Sequence, residues 1–104
     1  MQIRTGVDII EVNRIEESIN SLGEKFLKRV FTDYEIEYCN SKNNMKYQHY
    51  AARFAAKEAI FKAISNSLKT KYEITWTDIE IRNDENRKTY FFYKYTRQDD
   101  KYNR

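Results

Sequence analysis

The chain has 104 residues, with 19 basic and 16 acidic side chains interspersed to a net charge of +3. A chain of this length supports one modest core, so a single domain over residues 1–104 is expected. The aromatic content of 15%, with nine Tyr, six Phe and one Trp, excludes a disordered chain, and the mild charge permits an acidic partner without demanding nucleic acid. The single cysteine, Cys39, excludes an internal disulfide and has no second Cys or clustered His for zinc. No stretch approaches the roughly 18 apolar residues of a membrane span, and no basic segment followed by an apolar run opens the chain, so a cytoplasmic protein is expected.

In chain order, Gln2–Val12 carries Ile3, Val7, Ile9, Ile10 and Val12, whose β-branching predicts a strand. Asp8 stands out within it, either on a wet edge or pointing into a site, and Gly6 leaves one face open to close approach. Asn13 and Glu16 have capping-box spacing, and Ile15, Ile19 and Leu22 follow at helical intervals to a stop at Gly23. A second helical piece over Glu24–Phe31 turns Phe26, Leu27, Val30 and Phe31 inward. Lys25, Lys28 and Arg29 face outward and join Arg14 in a basic surface, which is either a plain solvated face or a contact for an acidic protein.

Thr32 with Glu35 repeats the capping-box signal and opens a third helix through Cys39, followed by a polar loop over Asn40–Lys46. A long helix is predicted from about Tyr47 to Ser65. His49 lies off its apolar stripe and reads as a surface residue. Further on, Trp76–Arg82 largely alternates apolar and polar residues as a half-buried strand does, Asn83–Asn86 is a turn, and Thr89–Thr96 is an aromatic strand pairing back as a hairpin. Residues 97–104 are polar except Tyr102 and are expected to fray.

The most informative stretch is Arg53–Lys62. At about 100° per residue, Tyr47, Tyr50, Ala51, Phe54 and Phe61 share an apolar stripe with Glu58 in its middle. A carboxylate facing apolar surroundings needs a cation, either Lys62 one turn on or a metal ion. Asp8 and Glu58, from different elements, are the acidic residues whose settings argue for burial. Two converging carboxylates suit Mg²⁺, which keeps part of its hydration and takes further ligands from substrate phosphates. An ordinary i, i+4 pair of Glu58 with Lys62 explains the same spacing.

Four motifs together resemble holo-[acyl-carrier-protein] synthase, the small bacterial branch of the 4′-phosphopantetheinyl transferases. They are Gly6-Val7-Asp8-Ile9-Ile10-Glu11, Phe31-Thr32-Asp33-Tyr34-Glu35 with Tyr38-Cys39, Arg53-Phe54-Ala55-Ala56-Lys57-Glu58-Ala59 with Lys62, and Trp76-Thr77-Asp78-Ile79-Glu80-Ile81 followed by Asn83-Asp84-Glu85. The resemblance implies an α+β fold, a small antiparallel sheet packed against a long helix and shorter helices. It also implies a homotrimer with active sites between subunits. The implied reaction is Mg²⁺-dependent transfer of the phosphopantetheine arm of coenzyme A to a serine of apo acyl carrier protein, releasing adenosine 3′,5′-bisphosphate, in cytoplasmic fatty acid biosynthesis.

By residue, the resemblance implies Asp8 and Glu58 as metal ligands and Glu58 and Lys62 as catalytic, with Lys62 facing the pyrophosphate. Arg53 and Lys57 are implied around the nucleotide phosphates and Arg14 on the carrier-protein face, where the basic surface read from the charge pattern adds Lys25 and Lys28 as partner-binding candidates. Neither nucleic acid nor membrane is expected as a partner. The chain departs from the family pattern at Ser65-Asn66-Ser67, where a Gly-Thr-Gly turn is usual, at Arg87-Lys88-Thr89, where Gly-Lys-Pro is usual, and beyond, where a Ser-x-Ser-His motif has no counterpart. Those departures carry the alternative expectation, a homologue that binds carrier protein or coenzyme A without turnover. Phosphoryl transfer needs charge neutralisation and in-line placement more than a covalent nucleophile, which two carboxylates and flanking cations supply.

Overall fold

A computed structural model describes residues 9–68, 72–73, 75–86, 88–93 and 96–97. The architecture is α+β: helices α1 (Ile9–Leu22), α2 (Glu24–Val30), α3 (Asp33–Asn40) and α4 (Lys46–Leu68), then strands β1 (Tyr72–Glu73), β2 (Ile79–Asn83), β3 (Thr89–Tyr93) and β4 (Thr96–Arg97). Both strand pairs, β1 with β4 and β2 with β3, are antiparallel.

Helix α1 begins by Ile9, so Ile9–Val12 are helical where β-branching predicts a strand. The reason is tertiary: Val12, Ile15 and Ile19 extend a helical spacing backward and pack together, while Ile9 and Ile10 stay 73% and 60% exposed. Asn13 and Glu16 therefore lie inside the helix and form no capping box. The part of the expected strand before Ile9, with Gly6 and Asp8, lies outside the described residues.

Gly23 ends α1 as expected, donating its N–H to Ile19 O at 2.8 Å, with φ of +62°. A Cβ built there meets nothing within 4 Å, so the conformation rather than crowding selects glycine. At the start of α3, Thr32 Oγ1 accepts from Glu35 N at 3.2 Å and Glu35 Oε1 accepts from Thr32 N at 2.9 Å. This is the reciprocal box the sequence shows.

One apolar cluster gathers Ile15, Val30, Phe31, Cys39, Tyr50 and Ala51 between the helices, and a second gathers Ala56, Ile60, Ile79 and Ile81 between α4 and β2. Trp76 joins α4 to the sheet, stacked on Phe54 at 5.3 Å and on Phe61 at 5.1 Å between ring centroids. Trp76–Asp78 is a 3₁₀ turn, so the expected strand begins only at Ile79. Its alternation then holds, with Ile79 and Ile81 fully buried and paired with Tyr93 and Phe91 of β3. Asp84 ties the hairpin, its Oδ1 accepting from Asn86 N and Lys88 N at 2.9 and 2.8 Å.

Candidate active site

The inward column of α4 is Tyr50, Arg53, Lys57 and Ile60, spaced three and four residues apart, and each is buried. Two cations thus occupy core positions. Glu58 lies off that column and is exposed, which corrects the expectation of a carboxylate facing apolar surroundings. Phasing the helix on Phe54 and Phe61 misplaced the stripe, because those rings pack to one side against Trp76.

Glu58 and Lys62 stand together on the exposed side, with Lys62 Nζ 4.0 Å from Glu58 Oε2 and the side chains of Glu58 and Lys62 49% and 74% exposed. At that exposure the pair adds about 0–1 kcal/mol, and both ends remain available to a ligand. Asp8, its expected partner, lies outside the described residues. No group of three His, Cys, Asp or Glu side chains that could hold a metal occurs among the described residues. Glu58 nevertheless fits a Mg²⁺ role: it offers a hard oxygen ligand in contact with water, which that ion retains in its shell.

Arg53 is 4% exposed. Its Nη2 donates to Asn83 Oδ1 at 2.6 Å, its guanidinium lies 4.1 Å from the Tyr38 ring centroid, and its Nε has no hydrogen-bond partner among the described residues. It borders a cavity of about 590 Å³ shared with Val12, Asn13, Gln48, His49 and Thr89. His49 is half-buried there, edge-on to Tyr38 at 5.7 Å, rather than fully at the surface. Burial first, and then the Arg53 charge, push its imidazole below its ordinary value of 6.5.

Lys57 is fully buried: its Nζ donates to Glu35 Oε1 at 2.6 Å and to Val30 O at 2.7 Å. Burial holds its ammonium below the ordinary 10.5, against the opposing charge and hydrogen bond of Glu35. The ammonium therefore faces the core, not a solvent-borne phosphate. Arg14 is 71% exposed beside Glu11 at 3.4 Å, Lys25 is exposed, and Lys28 pairs with Asp33 at 2.8 Å, raised above its ordinary value by that hydrogen bond. Sequence reasoning missed Glu35 beyond its cap role and missed Asn83 as the Arg53 partner. The register of Arg53 and Lys57 with Tyr50 and Ile60 was the available signal.

Residues 4–103 match the family described as the 4′-phosphopantetheinyl transferase superfamily. The chain belongs to that superfamily. It is similar to proteins named holo-[acyl-carrier-protein] synthase. The relative from Halothermothrix orenii is 47% identical over 85 residues, covering 82% of this chain and 65% of the relative. That from Solibacter usitatus is 48% identical over 83 residues, 80% and 64% of the two chains, and that from Ruminiclostridium cellulolyticum 48% over 90 residues, 86% and 66%. The chain thus spans just under two thirds of the length of these curated relatives. No solved structure matches it.

Proposed function

We propose that the chain is a holo-[acyl-carrier-protein] synthase, which transfers the 4′-phosphopantetheine arm of coenzyme A to a serine of apo acyl carrier protein. The serine Oγ attacks the pyrophosphate phosphorus that bears the pantetheine arm. The bond to adenosine 3′,5′-bisphosphate breaks, that product leaves with the pyrophosphate bridging oxygen, and the serine proton passes to a base. The observation that carries this reading is Glu58 beside Lys62 on the open side of α4, in a chain whose relatives bear that name. Glu58 and Asp8 would hold Mg²⁺, which would supply charge neutralisation at the pyrophosphate, while Lys62 meets a phosphate oxygen and Arg53 lends its charge to the nucleotide end. The exposed cations Arg14, Lys25 and Lys28 suit an acidic carrier protein.

A homotrimer in the cytoplasm completes the proposal. Among the described residues, no helix is long and apolar enough to cross a membrane. The test is to incubate the protein with coenzyme A, Mg²⁺ and apo carrier protein and weigh the carrier by intact mass. Gain of the phosphopantetheine mass is expected. Carrier that binds but never gains it would overturn the transferase reading in favour of a homologue without turnover, the alternative carried by the departures from the family pattern at Ser65-Asn66-Ser67 and from Arg87 onward.

A further inference from the structure

The resemblance places Lys57 among the phosphate-facing cations, but its geometry assigns another role. We infer that Lys57 is a positioning residue, whose buried ion pair with Glu35 sets the rotation of α4 that presents Glu58 and Lys62 together on its open side.

Both side chains are fully buried, and the Glu35 carboxylate is met by donors from three elements. Oε1 accepts from Thr32 N at 2.9 Å and from Lys57 Nζ at 2.6 Å, and Oε2 accepts from Ile81 N at 2.7 Å. Lys57 Nζ also donates to Val30 O at 2.7 Å, with the Phe31 ring centroid 5.6 Å away. One contact set therefore joins the end of α2, the cap of α3, the middle of α4 and strand β2. It lies where the two apolar clusters meet, since Val30 and Phe31 belong to one and Ile81 to the other.

Apolar packing alone specifies a helix's angle less sharply than its burial, since cores lose uniqueness before they lose stability. A rotation that carried the Lys57 ammonium away from Glu35 and Val30 O would leave buried charges unpaired, which is strongly disfavoured. A buried pair of this kind is a poor source of net stability, since apolar replacements often match or exceed it. What it specifies here is angle. At 3.6 residues per turn, Glu58 lies about 100° and Lys62 about 140° around α4 from Lys57, so fixing Lys57 inward fixes both outward.

The kinetic part of the test rests on the proposed transferase activity; the chemical part does not. Acetylating the native full chain with an amine-reactive reagent, followed by peptide mapping, should modify Lys57 at least tenfold more slowly than Lys62, at a rate indifferent to coenzyme A. If Lys57 is labelled as fast as Lys62 and coenzyme A protects it, the inference is overturned. Lys57→Arg keeps the charge but not the geometry, and should lower kcat at least tenfold with KM for coenzyme A within twofold. Glu35→Gln, at a residue with no proposed contact to substrate, should reproduce that split.

A tenfold rise in KM with kcat intact would assign Lys57 to phosphate binding. Unchanged kinetics with only a lowered Tm would make the pair merely structural. Either result overturns the inference. If the natural chain shows no turnover, the transferase reading fails by itself, and the acetylation pattern still decides where the Lys57 amine points.

Discussion

Two residues of opposite exposure show how setting decides chemistry. Cys39 is fully buried, and burial pushes its thiol from the ordinary 9.0 up to about 12. The folded chain therefore holds the thiol proton through a window in which the unfolded chain loses it. Its contribution is fully present below about pH 9 and is lost as pH rises from there toward 12. Tyr50, likewise raised by burial, acts in the same direction. Stability should fall above pH 9 by up to about 1.4 kcal/mol per pH unit through Cys39, and Tyr50 adds to the fall only above its ordinary value of 10.0. Urea titrations at pH 8 and pH 10 measure the slope, which Cys39→Ala should flatten. Glu58, by contrast, is exposed. Glu58→Gln should leave the unfolding midpoint within about 0.5 kcal/mol of the natural chain while abolishing Mg²⁺-dependent turnover. Wild-type turnover in that variant would overturn the proposed metal role of Glu58.

At the scale of elements, α3 depends on its cap. Thr32→Ala removes the Oγ1 acceptor of Glu35 N and should cost about 0.5–2 kcal/mol in urea unfolding. A cost near zero would mean that the Glu35 contacts to Lys57 and Ile81 hold the helix start unaided. This cap was legible in the sequence because its spacing is local, as was Gly23, whose positive φ marks a helix end. The hairpin was legible too, since Ile79 and Ile81 alternate against β3 with a polar turn between. Ile9–Val12 were not, because β-branched residues favour a strand only as a weak prior that helical packing of Val12 with Ile15 overrides. The Lys57–Glu35 pair was illegible for another reason. Its members lie 22 residues apart, and a hydropathy stripe sends both outward unless each is known to meet the other.

At the scale of the whole molecule, the two apolar clusters leave a remainder that neither covers. Tyr90, Phe91 and Phe92 of β3 are 41%, 39% and 50% exposed, although Arg82 lies 5.1 Å from the Phe92 ring and Tyr90 meets that ring edge-on at 5.5 Å. Tyr90 and Phe92 alternate onto one face of the strand and leave their rings partly in water, and the proposed homotrimer would bury such surface between subunits. Assembly that buries it links stability to concentration, because partners bind the folded chain and not the unfolded one. Tm should then rise with protein concentration, and sedimentation should give a trimer mass. Phe92→Ser should shift sedimentation toward monomer and weaken the concentration dependence, while intrachain pairs such as Ile81 with Phe91 keep the hairpin registered. A natural chain that sediments as a monomer at every concentration would dismiss the trimer, and an active site between subunits with it. The loss would extend no further, since Glu58 and Lys62 share one helix and need no second subunit to stand 4.0 Å apart.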